Sequence, residues 1–532
     1  MEPDAFFEGV RRMDKREGPT DAEGRPEEVP QDRSESGQQP GSTAGDELGG
    51  PVQGGDPEPT PAASGLPASP TKADGLPVTA ETGLQPEPTS RTDRTPNPTT
   101  FSPFKDWCSV WRGRIHAPLP ESVKRTMQQA VEDLLGDCLP PGPTPESRLC
   151  ERLISLATAR FPAELHGPGI THAAIAADLD GAFRIAFQAV RAHWVSHSMP
   201  QRDLFIWVGY DETEAGACAD CLGGRRPLAF EHLVQLKGVM GPHCYRCPWN
   251  QARPQRESDA RLYRSCGWEC LFQLDEAIVE AGDRLAGVIM SPLIQPQGGM
   301  VMFPPGYLRG VQERCESARV PFIADESLSA FGRTGSFFAC EQEAVRPDLL
   351  ILGDSLSMGL LPMGAVLGTS EFPEICPDWA CRRCPADPWK DQARSVAAAT
   401  ALGVLEVIEG RYNEHELAEL AQTLRVQAHR FWEIPFVGDV RCCGMVAVIE
   451  IVGNWKTRKP FPGHFQIGSK IAARARESGV AMPHWGDRLV LSPPIGCTTE
   501  DIVAVTDLIW DVTTEVLAQE TPAAHEFLNG DG

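Results

Sequence analysis

Basic charge is in deficit: 49 Lys and Arg stand against 73 Asp and Glu in 532 residues, a formal net charge of −24 with pI near 5.0. A chain that grips a phosphate backbone needs a basic face to displace counterions, so nucleic acid is excluded as the expected partner. Long apolar runs are also missing. None approaches the roughly 18 residues of a membrane span, and Met1 to Thr20 mixes Asp, Glu, Arg and Lys with no hydrophobic stretch that would serve as a secretory leader. These absences predict a soluble, cytoplasmic protein with no membrane partner. In such a compartment the 17 cysteines read as reduced thiols, mostly buried, and not as a disulfide framework. Lysine is absent between Lys237 and Lys390.

The amino-terminal hundred residues have little that could form a core. They hold 16 of the 48 prolines, with 19 acidic against 9 basic side chains, and such a segment cannot bury enough apolar surface to offset its ordering entropy. Residues 1–103 are therefore expected to be a disordered acidic Pro/Gly-rich tail, either simply solvated or folding on a partner. After Phe104 the pattern turns globular. Val123, Met127, Val131 and Leu134 recur at helical spacing, as do Leu149, Leu153, Ile154 and Ala157. Short apolar runs follow at Leu204–Val208, Ala286–Met290, Pro321–Ala324, Leu349–Leu352 and Ala365–Leu367, separated by helical stretches such as Pro305–Arg319. Strands alternating with helices predict an α/β fold around a mostly parallel sheet covered on both faces. Thr498 is positioned to cap a helix over Asp501–Leu517. The expected division is 104–165 as an amino-terminal helical segment of a small domain, 166–413 as a large α/β domain, 414–520 as the remainder of the α+β small domain, and 521–532 as a tail.

From Ala286 the chain runs AGVIMSPLIQPQGGMVMFPPGYLRGVQERCESARVPFIADESLSAFGRTGSFFACEQEAVRPDLLILGDSLSMGLLPMGAVLG. The order QGG, PPGYL, IADE, FGRTG, a Pro-Asp pair and GLLPMGAVL resembles the central stretch of the class III pyridoxal-phosphate-dependent aminotransferases. It is most similar to the diaminopelargonic acid, acetylornithine and aminobutyrate branches, as is HCYRCPW at His243 to Trp249. The resemblance extends from about Leu119 to Val516; the family's opening β-meander is missing or replaced by Phe104–Ile115. It implies the aminotransferase fold type I, pyridoxal phosphate as cofactor, amino-group transfer as the family activity, and a homodimer or a heterodimer with a paralogue.

The family's cofactor positions can be carried onto this sequence one at a time. The catalytic lysine, which holds the cofactor aldehyde and moves the substrate proton, falls on Asp354 in Leu352-Gly353-Asp354-Ser355-Leu356. The small-residue phosphate cup falls on Asp178-Leu179-Asp180, where carboxylates would repel a phosphate by about 1 kcal/mol per pair at 4 Å in water and more if partly buried. The aromatic and histidine of the ring-stacking run fall on Tyr210 and Asp211. The residue opposite the ring is Ser327, and the glutamate before the proline of the QGG stretch is Ser291. Asp325 matches the aspartate that holds the ring nitrogen protonated, and Gln295 the glutamine on the ring hydroxyl. Lys390 falls at the threonine that reaches the neighbouring subunit's phosphate.

The sequence leaves two functional readings open: a degenerate, non-transaminating member acting as scaffold or partner subunit, or an enzyme that keeps the cofactor or uses lysine-independent chemistry. Asp178, Asp180, Asp211, Asp325 and Asp354 would converge on the old cofactor cavity, where burial of like charges calls for a divalent metal such as magnesium, a polyamine or protons. Separately, Cys218-x2-Cys221 and Cys244-x2-Cys247 have the form of a four-thiolate zinc site, with Cys381-x2-Cys384 as a third pair. Adjacent strand residues point to opposite faces, so Asp325 and Glu326 are not expected to share a site. Arg488 lies two residues before the place, Val490, from which relatives reach a substrate carboxylate.

Overall fold

The structure, a computed structural model, describes residues 105–106, 119–135, 143–161, 168–209, 234–373, 375, 388–411 and 414–529. All belong to one compact unit, Arg94–Gly532. Its centre is a seven-stranded sheet built from β2 (Ile170–Ala176), β3 (Leu204–Val208), β4 (Gln235–Val239), β5 (Leu285–Met290), β8 (Phe322–Asp325), β9 (Leu349–Leu352) and β10 (Gly364–Thr369), in the order β2-β10-β9-β8-β5-β3-β4. The neighbours from β9 to β4 pair in parallel, and β10 runs antiparallel to both β9 and β2. Every residue of β5, β8, β9 and β10 is buried, as expected for central strands covered on both faces. A small antiparallel pair, β6 (Ile294–Gln295) with β7 (Val301–Met302), stands beside the sheet.

Helices α1 (Glu121–Leu135) and α2 (Pro145–Arg160) come first, then α3 (Leu179–Ser196), α4 (Glu269–Ala281), α5 (Tyr307–Ala318), α6 (Pro388–Arg411) and α7 (Glu414–His429). The face of α3 shows why the crossovers hold: Phe183 stacks toward Trp207 and Phe187 packs edge-on to Phe205, with ring centroids 5.5 and 4.8 Å apart. The buried Trp194 indole N–H donates to the Ala286 carbonyl at 2.7 Å, giving its one polar atom a partner. Where the sequence reading assigned 104–165 to the small domain, α1 packs on α6, and α2 on α6 and β2.

The carboxy-terminal part forms a second, four-stranded antiparallel sheet of β11 (Val437–Cys443), β12 (Val446–Ile451), β15 (Arg488–Leu491) and β14 (His484–Trp485). It is covered by α7 and α8 (Ile467–Glu477), against which α9 (Thr499–Asn529) packs in turn. Thr498 caps α9 as expected, accepting from the Asp501 amide at 3.2 Å, but the helix runs on to Asn529, past the expected end at Leu517. Of the segment 104–115, the structure describes β1 (Lys105–Asp106), which pairs in parallel with β13 (Val480–Ala481).

Candidate functional site

The carboxyl ends of β2, β3, β8 and β9 meet at one edge of the large sheet, the edge where open α/β sheets bind ligands. Strand register brings Ala176 opposite Gly364, Leu352 opposite Ala365, and Ile351 opposite Asp325. The turns leaving these strands therefore assemble Asp178, Gly209, Asp325–Ser327 and Gly353–Asp354 along that edge.

Asp178 precedes α3 in an extended conformation, and its Oδ1 accepts the Gly181 N–H at 2.7 Å. Its carboxylate sits on the positive end of the helix, a charge–dipole arrangement of about 0.3–1 kcal/mol added to the capping bond. Leu179 is buried and Asp180 half-buried in the first turn. Gly364 can approach only because it lacks a side chain: a Cβ there would lie 2.7 Å from the Asp178 carbonyl.

Asp354 opens a single 3-10 turn, Asp354–Ser357. Its Oδ1 accepts the Met363 N–H at 3.1 Å, and its carbonyl accepts from Ser357 Oγ and the Gly359 N–H. The carboxylate thus ties the start of the loop to its end. Ser355 Oγ donates to the Ser327 carbonyl at 3.2 Å, and Gly353 packs so tightly on Ser327 that a Cβ would come within 2.8 Å of it. Asp325, 6% exposed, accepts the Ser327 N–H on Oδ1 and the Ser291 hydroxyl on Oδ2, both at 3.1 Å. Its neighbour Glu326 turns away and accepts the Ala339 and Cys340 N–H groups at 2.7 and 2.9 Å; burial, outweighing those donors, pushes its carboxyl up to about 7. Gln295 is buried under Gly209, whose φ of +90° no side chain would accommodate. Asp178, Asp325, Ser327 and Asp354 are thereby linked through one connected set of contacts. Tyr210 and Asp211 lie outside the described residues, as does the side chain of Lys390 in α6.

Of the C-x2-C pairs in the sequence, the structure describes Cys244 and Cys247. Cys218, Cys221, Cys381 and Cys384 lie outside the described residues. Cys244 and Cys247 instead share their surroundings with Cys266 and Cys270, a C-x3-C pair that the sequence reading missed. Bonds from Gln251 N–H to the Ser265 carbonyl and from Ser265 N–H to Asn250 Oδ1 lock the two segments together. Burial pushes Cys244 and Cys270 up to about 12, and the neighbouring thiols add to the rise, which favours protonated, uncharged sulfur. Among the described residues no group of three or more His, Cys, Asp or Glu side chains is placed to hold a metal ion. That applies both to the thiols and to the aspartates of the sheet edge.

A buried charge cluster, also missed in the sequence, ties the carboxy-terminal sheet to the loop that follows β4. Arg441, 2% exposed, donates to Asp439 Oδ2 at 2.8 Å and Glu450 Oε2 at 2.7 Å, and Arg246 Nε donates to Glu450 Oε1 at 2.6 Å. Burial works against ionisation of Glu450, but Arg441, Arg488 and Arg246 together hold its carboxyl well below the usual range. Arg488 Nε lies 3.8 Å from Glu450, so its charge is turned into this cluster. Burial also lowers the adjacent His243 to about 3, with the same three guanidiniums adding to the effect.

A mixed, mostly parallel seven-stranded sheet with a ligand-type edge and a carboxy-terminal antiparallel sheet is the aminotransferase fold type I. Residues 231–512 match the family described as Aminotransferase class-III. The chain is 30% identical over 404 residues, 74% of its length and 70% of the other, to the adenosylmethionine-8-amino-7-oxononanoate aminotransferase of Nitratidesulfovibrio vulgaris. The corresponding enzyme of Geobacter sulfurreducens is 28% identical over 361 residues, 66% of this chain and 77% of the other. The solved structure of the Methanocaldococcus jannaschii enzyme superposes with a TM-score of 0.60 at 23% identity, over 77% of this chain and 89% of that one. This chain belongs to the class III aminotransferases, a family whose activity is pyridoxal-phosphate-dependent transamination. None of its described helices is long and apolar enough to cross a membrane.

Proposed function

We propose that this chain is a non-transaminating member of the class III aminotransferases that acts as a scaffold or partner subunit, pairing about a two-fold axis with itself or with an active paralogue. The observation that carries this reading is the placement of Asp354. A carboxylate stands where the sequence pattern of the family has its lysine, and it is already committed to the Met363 amide at 3.1 Å.

Pyridoxal phosphate does not fit the residues at this edge. A phosphate at the amino terminus of α3 would meet the Asp178 carboxylate, which already occupies the Gly181 N–H at 2.7 Å, and like charges in that position repel. No lysine lies between Lys237 and Lys390 to take the aldehyde, and Lys237, on β4, is engaged by Glu280 of α4. Asp325, which matches a ring-binding position, serves as a buried turn-capping group.

The test is colour. Purified protein given excess pyridoxal phosphate and dialysed is expected to show no absorption band in the visible. A stable band would favour the rival reading of a cofactor-retaining enzyme.

A further inference from the structure

A cavity of about 320 Å³ opens at the end of the large sheet opposite that edge. Its position follows from strand direction: β10 begins at Gly364 beside Asp178 and ends at Thr369 in the cavity wall, while Asp348 lies just before β9. Six extended residues span about 17 Å, so the cavity is remote from the edge described above.

The wall carries three carboxylates, Asp348, Glu316 and Glu371, against two guanidiniums, Arg346 and Arg319. Asp348 is tied down by one oxygen, its Oδ2 accepting the Phe322 N–H at 2.8 Å. Thr369, also in the wall, is 1% exposed, and its hydroxyl oxygen is buried with no hydrogen-bond partner among the described residues. Trp194 and Phe322 supply apolar surface in the same wall. The cavity thus joins an excess of one negative charge, an unsatisfied buried hydroxyl and room for a short hydrocarbon body.

We propose that this cavity binds a small aliphatic amine in its ammonium form. The ammonium sits among Asp348, Glu316 and Glu371, and the alkyl part lies against Trp194 and Phe322. One positive charge neutralises the wall, whereas a carboxylate ligand would add to its excess. Crowding supports the sign: burial first, then Glu371 and Glu316, push the Asp348 carboxyl up to about 6 against the opposing pull of Arg346, and a bound cation relieves that repulsion. Of the other titratable groups in the wall, His193 turns its Nδ1 to the Glu371 carbonyl at 3.2 Å, and burial pushes the Cys315 thiol up, which keeps it uncharged.

Calorimetric titration of the full chain with butylamine at about pH 8, with butyrate as the anionic control, tests the site. The amine is expected to bind saturably and butyrate not at all. Glu371→Gln and Glu316→Gln, both exposed positions, are each expected to weaken the amine about fivefold to tenfold, the worth of one nearby charge in partly screened surroundings. Asp354→Asn, at the other end of the sheet, leaves the affinity unchanged. Absence of saturable heat, equal binding of butyrate, affinity indifferent to both Glu variants, or loss of binding in Asp354→Asn would each overturn the proposal.

Discussion

His243 carries a signature that a bulk measurement can read. Its imidazole is held neutral in the fold, lowered to about 3 by burial and by Arg441, Arg488 and Arg246, while the unfolded chain titrates near the ordinary value of 6.5. Below 6.5 the unfolded state binds the extra proton, so the stability this residue contributes is present above 6.5 and is lost as pH falls toward 3. At about pH 4.5 the loss amounts to about 2–3 kcal/mol at 1.36 kcal/mol per pH unit. Denaturant titrations of the wild type and His243→Gln at about pH 7.5 and 4.5 are expected to show the variant losing less stability on acidification. Equal losses would mean that the ring is protonated in the folded state. Asp178 offers a second reading at this scale: Asp178→Ala removes the cap of α3 and is expected to cost about 1 kcal/mol in the same assay. What the sequence reveals about such residues depends on how local their determinants are. Thr498 is readable as a cap because the helix begins beside it. The setting of His243 is not, since its neighbours Arg441, Glu450 and Arg488 arrive from strands some two hundred residues away. Cys266 and Cys270 were overlooked for a related reason. Only the fold, through the Gln251–Ser265 backbone bond, brings their segment beside that of Cys244 and Cys247.

Among the elements, strands with unbroken apolar runs were legible, and strands without them were not. Leu204–Val208 and Leu349–Leu352 are buried on both faces and read as such residue by residue. Edge strand β4 runs from exposed Gln235 through half-buried Leu236, Lys237 and Gly238 to buried Val239, with too few apolar residues in its sequence to separate it from a loop. Helix α9 exceeds its expected length: the Thr521 hydroxyl bonds back to the Leu517 carbonyl, and the helix runs past Pro522, a residue that reads in sequence as a stop. The hairpin between β11 and β12 turns at Gly444, where φ is +53° and a Cβ would lie 2.2 Å from the Thr334 carbonyl carbon. Gly444→Ala is therefore expected to cost more than about 1 kcal/mol, beyond the usual penalty for alanine at positive φ; a neutral effect would show that the turn can move away from Thr334. At the amino terminus of α3 the prediction concerns chemistry. Asp354→Lys restores the amine but leaves the Asp178 carboxylate on the helix, so it is expected to recover little transaminase activity. Full recovery would show that the carboxylate does not exclude the phosphate.

The whole molecule retains the architecture of its family. The fold was readable from QGG, PPGYL, IADE and FGRTG because these segments form turns and strand ends that the architecture itself requires; Asp325 and Glu326, for example, bond to backbone amides of neighbouring turns. The site was readable only as a set of substitutions. The structure adds that Asp354 and Asp178 each have a structural task, closing a loop and capping a helix. A chain whose altered residues have taken on such tasks is expected to be stable without cofactor, and its melting temperature should be indifferent to added pyridoxal phosphate, since a ligand that does not bind the folded state cannot raise it. As a subunit pairing about a two-fold axis, it is expected to sediment at twice its 57.9 kDa mass, or to do so with a co-expressed active relative. The most direct measurement is borohydride reduction of the purified chain in excess pyridoxal phosphate, followed by peptide mapping by mass spectrometry. The account predicts no pyridoxyl group on any lysine; a single stoichiometric adduct would contradict it.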